Sequence, residues 1–319
     1  MYQNAFKTAL VLSGGASRAL AHLGVIEEMQ RHDLKMDMIV GTSMGAVVGA
    51  LYAYYGDAAS VIERMQAFVQ SDTLSRAIIS AAEDVPEVGP DGFFNRFVWL
   101  FRKGMYYTHS IIRTTLVTEE IYEEIMHGVL PDLNIEDLAI PFAAITMDLM
   151  TGEEVVIRKG SLRKAVLASA AIPGILPAVR IHGRTLVDGG WLDNVPVGPA
   201  IAMGAHFVLG VDAGLDVLGL GPPPLSALEN VFRCNEISRI HLTNQRKIHA
   251  DVLLYPEIGP LHWANFKAID RCVAAGRAAF IDRQPQVLRA MRRRRLLTLG
   301  GILHPARRDE SWRHPFIFV

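Results

Sequence analysis

The sequence predicts an α/β fold with a mainly parallel central sheet and helices on both faces, arranged as three α/β/α layers. Two strand–turn–helix units occur within the first 55 residues, each with a glycine-rich turn between a short apolar run and a helical pattern. Repeated units of this kind build parallel sheets whose ligands gather at the carboxyl ends of the strands. A length of 319 residues and a hydrophobic fraction of 50% suit one large domain. We expect that domain to span residues 1–295.

The first unit places small residues directly after a predicted strand. Ala9–Leu12 is apolar, and Ser13-Gly14-Gly15-Ala16-Ser17-Arg18 follows before a helical stretch. Small residues after a strand let backbone N–H groups converge on a phosphate or an oxyanion. The dinucleotide fingerprint G-x-G-x-x-G is not matched, because Ala16 and Ala19 replace two of its glycines, and a Walker loop would need G-K-[ST]. The pattern favours an oxyanion loop over a nucleotide site.

The second unit carries a serine between two glycines. Gly41-Thr42-Ser43-Met44-Gly45 joins the apolar run at 38–40 to a helical run at 46–52. A sharp turn from strand to helix needs small residues on either side, here Gly41 and Gly45, and leaves Ser43 at the helix N-terminus. There the helix dipole favours developing negative charge, which suits a nucleophile. A plain glycine turn before a helix would share the same five-residue pattern.

A carboxylate follows a strand in the second half of the chain. Residues 184–187 form a predicted strand that leads into Asp188-Gly189-Gly190. Asp-Gly is also a common turn signal, so Asp188 taken alone suits an ordinary turn. The other predicted strands cover residues 140–146, 154–157, 206–212 and 251–255, and the other predicted helices cover residues 161–172, 195–203, 226–249 and 267–295, the last with a kink at Pro285.

Three segments have more than one interpretation or little regular pattern. Residues 57–130 suggest a helical insert whose aromatic stretch at 93–101 is either a buried helix or an apolar surface for acyl chains. Residues 296–319 suggest a weakly structured tail. Arg292-Arg293-Arg294-Arg295 suits a solvated helix end or a contact with anionic lipid headgroups.

Composition and charge exclude several classes of function. A net charge of −1 with no basic-aromatic pattern argues against nucleic-acid binding. No apolar run reaches the roughly 18 residues of a spanning helix, and Met1–Leu12 is too short for a signal peptide, so we expect a cytoplasmic location. Cys234 and Cys272 are expected to be buried free thiols, and no cysteine spacing suggests a metal. We expect no metal or cofactor, and the oligomeric state is left open.

Taken together, these motifs resemble the patatin-like phospholipase family. The match covers residues 8–212 and includes the glycine turn at 13–18, G-x-S-x-G at 41–45 and D-G-G at 188–190. The stretches 168–177 and 194–197 are also similar to that family. The family's oxyanion loop usually has glycine where this chain has Ala16 and Ala19. An alanine keeps the N–H donor but loses conformational freedom, above all if its φ must be positive.

The resemblance implies a serine-dependent lipid acyl hydrolase of the phospholipase A, lysophospholipase or carboxylesterase type. Ser43 would be the nucleophile and Asp188 the base of a Ser–Asp dyad without histidine. The amides of Gly14, Gly15 and Ala16 would bind the oxyanion, and Arg18 would orient the loop, meet a phosphate, or have a plain surface or structural salt-bridge role. The substrate would be a lipid or another ester, and peripheral membrane contact would follow.

Two alternatives stay open. An α/β-hydrolase with a Ser-Asp-His triad would need a histidine after the acid, and six are available: His206, His241, His249, His262, His304 and His314. None of them lies in a glycine-flanked loop. The other alternative is a lipid-binding or regulatory module whose altered Gly-Gly-Ala loop has lost catalysis.

Overall fold

A computed structural model describes residues 6–71, 115, 117–221, 223–261, 265–300 and 315–319. The strands in these ranges are β1 Thr8–Leu12, β2 Met38–Thr42, β3 Phe142–Asp148, β4 Glu154–Ile157, β5 Val179–Ile181, β6 Arg184–Asp188, β7 Phe207–Val211, β8 Val252–Leu254 and β9 Phe316–Phe318. The α-helices in the same ranges are α1 Ala21–Arg31, α2 Met44–Tyr55, α3 Ala58–Val69, α4 Glu119–Val129, α5 Leu162–Ala170, α6 Val197–Ala202, α7 Ala227–Arg246 and α8 Ile269–Leu299.

All nine described strands belong to one mixed sheet. Its parallel part has the order β3-β2-β1-β7-β8, with β1 in the middle. Strands β4 and β6 run antiparallel to β3, β5 is antiparallel to β6, and β9 is parallel to β4. All five residues of β1 are buried, as expected for a parallel strand covered on both faces.

The two faces of the sheet pack against separate cores. Leu10 and Leu12 of β1 contribute to the larger core, formed with helices that include α1, α2, α5 and α8. The intervening Ala9 and Val11 contribute to the smaller core, formed with α6. Because successive side chains of a strand point to opposite faces, one apolar strand can serve both cores. The predicted three-layer α/β/α architecture with a mainly parallel sheet is confirmed.

The C-terminal region differs from the predicted weakly structured tail. Helix α8 continues past the predicted boundary at residue 295 and ends at Leu299. Strand β9 pairs with β4, with Ile317 opposite Val155. The expectation of a tail is therefore wrong for both of these pieces, because pairing with a distant strand leaves little trace in the local sequence pattern.

Three further predictions concern the aromatic stretch, the two cysteines and membrane-spanning helices. The aromatic stretch at 93–101 lies outside the described residues. Cys272 is a buried free thiol as predicted, but Cys234 is exposed on α7, so its predicted burial is wrong. None of the described helices is both long and apolar enough to cross a membrane.

Candidate active site

Ser43 occupies a strained turn between β2 and α2. Its φ of 55° and ψ of −126° lie outside the regions that a serine ordinarily adopts. Such conformations cost about 1–3 kcal/mol and persist where the surrounding structure enforces them. The tight packing here depends on Gly45, where an added Cβ would lie 2.4 Å from the carbonyl oxygens of Leu12 and Ser13. Gly41 faces the same turn, and its Cβ would lie 2.6 Å from the Gly45 carbonyl oxygen.

The ends of β2 and β6 meet on one edge of β3. Thr42 of β2 pairs with Ile145, and Asp188 of β6 pairs with the next residue, Thr146. Strand β4 pairs with both Ile145 and Thr146, so it occupies the other edge of β3. Strands β2 and β6 therefore approach each other end to end, and Ser43 and Asp188 come together although 145 residues separate them in sequence.

The Asp188 carboxyl group is buried and hydrogen-bonded within its own turn. Its Oδ1 accepts a bond of 2.8 Å from the amide of Gly190, and the side chain of Ser43 is a second hydrogen-bond partner. Burial raises the pKa of Asp188 from 3.8 to about 6, while the bonds from Ser43 and Gly190 and the charge of Arg239 oppose that rise. Gly189 packs against β3, since its Cβ would lie 2.5 Å from the Ile145 carbonyl oxygen.

The glycine loop lies directly against Ser43. A Cβ on Gly14 would lie 3.1 Å from the Ser43 Cβ. Gly15 has a φ of 151° and Ala16 a φ of 49°, so Ala16 adopts a positive φ, which an alanine tolerates less well than a glycine. The amides of Gly15 and Ala16 have no hydrogen-bond partner in the part of the chain that the structure describes. Both amides can therefore act as donors to a ligand.

Gly14 differs from its expected role as an oxyanion donor. Its amide donates a hydrogen bond of 3.3 Å to the carbonyl oxygen of Asn194. This bond occupies the donor within the protein and fixes the start of the loop.

Behind the loop, the buried His22 ring bonds through Nε2 to the Ser13 carbonyl oxygen at 2.8 Å, and burial lowers the pKa of His22 to about 4. A neutral His22 donates this bond.

The Arg18 side chain connects the glycine loop to two distant backbone carbonyl groups. Its Nε donates to the carbonyl oxygen of Ala213 at 3.1 Å, and its Nη1 donates to that of Gly259 at 2.9 Å. The side chain is buried. Of the roles considered for Arg18, these contacts favour orientation of the loop over contact with a substrate phosphate.

Two polar residues near the site were not predicted from the sequence. Ser169 of α5 accepts a hydrogen bond from the Ser43 amide at 3.0 Å and donates one to the Ile145 carbonyl oxygen at 2.7 Å. Asn194 lies between the loops, with Oδ1 2.7 Å from a Cβ on Gly14 and 3.0 Å from one on Gly190. The available signal for Ser169 was a lone hydroxyl among the small apolar residues of a buried helix.

The histidines of the alternative triad do not reach Asp188 where the structure describes them. His206 immediately precedes β7, at the amino end of that strand, where its Nδ1 accepts a bond from the Lys7 amide. None of the described histidines hydrogen-bonds to Asp188. His262, His304 and His314 lie outside the described residues.

Among the residues with described positions, no group of three or more His, Cys, Asp or Glu side chains could hold a metal ion.

The comparison with known families agrees with the motifs and their geometry. A model of the patatin-like phospholipase family matches residues 10–201, which include the glycine loop, Ser43 and Asp188. The chain belongs to the patatin-like phospholipase family. The family match ends near the end of α6, so β7, β8 and the two long helices α7 and α8 lie beyond it.

Several curated proteins are similar to this patatin-like chain. Mouse patatin-like phospholipase domain-containing protein 6 is 31% identical over 208 residues, which are 65% of this chain and 13% of the mouse protein. Lysophospholipase NTE1 of Mycosarcoma maydis is 30% identical over 205 residues, 64% of this chain and 10% of the fungal protein. An uncharacterized NTE family protein of Mycobacterium tuberculosis strain H37Rv is 27% identical over 308 residues, 88% of this chain and 47% of that protein. The chain thus spans a minor part of each relative.

Proposed function

We propose that this chain is a serine-dependent lipid acyl hydrolase of the phospholipase A, lysophospholipase or carboxylesterase type. The observation that carries the proposal is the end-to-end meeting of β2 and β6 on one edge of β3, which brings Ser43 and Asp188 together. Ser43 is the proposed nucleophile and Asp188 the proposed base. The amides of Gly15 and Ala16 are the proposed oxyanion donors.

In the proposed mechanism, the Ser43 oxygen attacks the ester carbonyl carbon while its proton moves to the Asp188 carboxylate. The carbonyl oxygen becomes an oxyanion that the Gly15 and Ala16 amides stabilise. The intermediate collapses to an acyl-enzyme, and the leaving alcohol takes the proton from Asp188. Water then attacks the acyl-enzyme and gives its proton to Asp188, and Ser43 recovers a proton as the fatty acid departs. The raised pKa of Asp188 makes it a stronger base than an ordinary aspartate.

The proposed substrates are lipids with an ester-linked acyl chain. The name of the Mycosarcoma maydis relative, a lysophospholipase, favours a lysophospholipid as the first candidate. Exposed apolar side chains support peripheral contact with a membrane. They lie at the carboxyl ends of parallel strands, the same end of the sheet as the proposed site. Leu149 and Met150 follow β3, and Leu215 and Val217 follow β7, both at the strands' carboxyl ends. Such side chains favour transfer from water to an apolar phase.

The test is a hydrolysis screen of the purified chain. The substrates are short and long p-nitrophenyl esters, phosphatidylcholine and lysophosphatidylcholine, and a fluorophosphonate probe reports an activated serine. Ser43→Ala is expected to lose both hydrolysis and labelling. Ser238→Ala is the control, because it removes an exposed hydroxyl on α7, and it is expected to react like the wild type. Asp188→Asn is expected to lower kcat by roughly 10²-fold or more.

Each alternative function predicts a different result. Loss of activity on changing one of the later histidines, with Asp188→Asn tolerated, would support a Ser-Asp-His triad. Binding to liposomes without hydrolysis or labelling would support a lipid-binding module.

A further inference from the structure

Two consecutive residues, Asp193 and Asn194, connect all three loops of the site through their backbone atoms. The Asp193 carbonyl oxygen accepts a bond of 2.9 Å from the hydroxyl of Thr42, the residue before Ser43. The Asn194 carbonyl oxygen accepts the bond from the Gly14 amide, and the Asp193 amide donates to the Gly189 carbonyl oxygen at 2.9 Å. One end of each of these three bonds lies on the backbone of Asp193 or Asn194. A shift of Asp193 therefore changes the spacing of all three loops.

The side chain of Asp193 lies in a buried cluster of charged groups. Nη1 of Arg246, at the end of α7, lies 2.5 Å from Oε2 of Glu154 and 3.9 Å from Oδ2 of Asp193. The three side chains are 11%, 2% and 3% exposed, respectively. Burial and the nearby Glu154 carboxylate raise the pKa of Asp193 well above its ordinary range. Arg246 thus lies between two buried carboxyl groups, Glu154 in direct contact and Asp193 slightly farther away.

Stability alone gives a poor account of this cluster. Glu154 Oε1, Asp193 Oδ1 and Arg246 Nε are buried, and none has a hydrogen-bond partner among the described residues. Buried charged groups with unsatisfied atoms are often no more stabilising than apolar side chains of similar volume. A cluster that fixes the position of Asp193 has a different benefit, since small displacements of catalytic groups can lower a rate by roughly 10²-fold.

We propose that Asp193 is a positioning residue, held by Arg246, which is itself fixed by Glu154, and that Asp193 sets the spacing of the glycine loop, the Ser43 turn and the Asp188 turn. This inference rests on the proposed hydrolase function. Asp193 does not touch the reacting atoms. It acts through the Thr42, Gly14 and Gly189 contacts, so its loss lowers kcat more than it changes KM.

The test compares four variants. Asp193→Ala removes the side chain that anchors the segment, whereas Asp193→Asn keeps the size and shape of that side chain. Arg246→Met removes the cation that holds Asp193 but keeps the Asp193 side chain itself, which provides a second variant if Asp193→Ala does not fold. Arg184→Met is the matched control, because Arg184 also bridges two carboxylates, those of Asp148 and Glu153, but does so at the far end of β6.

Two measurements are made on each variant: kcat and KM for a soluble p-nitrophenyl ester, and hydrogen–deuterium exchange of peptides that cover residues 13–18 and 41–46. Asp193→Ala and Arg246→Met are expected to lower kcat about tenfold or more with KM within about threefold, and to speed exchange in both peptides. Asp193→Asn and Arg184→Met are expected to keep kcat within about threefold and to leave exchange unchanged.

The outcomes separate the two proposals. If the wild type shows no Ser43-dependent turnover, the proposed function fails, and the exchange data alone decide the role of Asp193. Unchanged exchange in Asp193→Ala and Arg246→Met overturns the positioning role whether or not the enzyme is active. Equal effects in Arg184→Met also overturn it, because they would reflect general destabilisation.

Discussion

The amide of Ser43 donates a hydrogen bond of 3.0 Å to the hydroxyl of Ser169, which in turn donates to the carbonyl oxygen of Ile145 at 2.7 Å. This relay joins the strained Ser43 turn to β3 through a residue of α5. Ser169 is fully buried, so water cannot replace its hydroxyl easily. The bond therefore helps to hold the unusual φ and ψ of Ser43.

We predict that Ser169→Ala destabilises the protein and slows hydrolysis. The change removes the hydrogen-bond partner of the partly buried Ser43 amide and of the buried Ile145 carbonyl oxygen, at a cost of about 1–3 kcal/mol. We expect kcat to fall about 3- to 30-fold as the Ser43 turn relaxes. Ser161→Ala is the control in the same helix: it removes an N-cap that accepts from the Lys164 amide and costs about 1 kcal/mol, but should leave kcat unchanged. Equal loss of activity in both variants, measured alongside urea unfolding, would refute a specific role for Ser169.

The sequence was sufficient to predict the fold class and the elements that carry the proposed site. Gly14-Gly15, Ser43 and Asp188 each follow a short apolar run, and a small-residue turn after a strand is a local pattern. The parallel part of the sheet followed from the repetition of these units. Local patterns could therefore indicate which residues lie at strand ends.

The arrangement between the elements could not be read in the same way. Asp188 reaches the end of β2 because β6 pairs with β3 in antiparallel orientation. The local sequence around Asp188 predicts only a turn. The contact of Ser169 with Ser43 spans 126 residues. The bond from Gly14 to Asn194, which removes one expected oxyanion donor, links residues 180 positions apart. Such contacts depend on tertiary packing, which no local window of sequence contains.

We predict an acid limb near pH 6 in the pH dependence of kcat/KM. Asp188 must be ionised to accept the Ser43 proton, and burial raises its pKa to about 6. The rate should therefore be constant above about pH 7 and fall tenfold for each pH unit well below 6. Steady-state kinetics with a non-ionising p-nitrophenyl ester, followed at a pH-independent wavelength, measures the limb. A limb near pH 4 would argue against a buried Asp188 as the base.

We predict that Asp188→Asn raises stability at alkaline pH. The folded-state pKa of about 6 exceeds the ordinary 3.8, so the folded protein binds this proton more tightly than the unfolded chain does. The associated stability is complete below about pH 4 and is lost as the pH rises through 6. At pH 8 the substitution should therefore add about 2–3 kcal/mol to the free energy of unfolding. Urea unfolding at pH 8 and pH 3.5 tests this, and a difference that does not shrink at the lower pH would contradict it.

We predict that Arg239→Gln shifts the acid limb to higher pH. The positive charge of Arg239 on α7 favours the ionised form of Asp188 and opposes the rise of its pKa. Its removal should move the limb upward by a few tenths of a pH unit while the plateau rate stays similar. Arg283→Gln makes the same change of charge at an exposed position of α8 and should leave the limb in place. A shift common to both variants would indicate a general charge effect.

We predict that Ala16→Gly is tolerated and that Ala16→Val is not. Ala16 has a φ of 49°, which costs an alanine about 1–2 kcal/mol relative to glycine. Glycine relieves this strain but adds entropy to the unfolded chain, so the two effects nearly cancel, and the N–H donor is kept. Kinetics and thermal unfolding should therefore place Ala16→Gly within about threefold of wild-type kcat, whereas a β-branched valine should lose stability and activity. If Ala16→Gly raised kcat by about tenfold or more, the native alanine would itself be limiting the oxyanion loop.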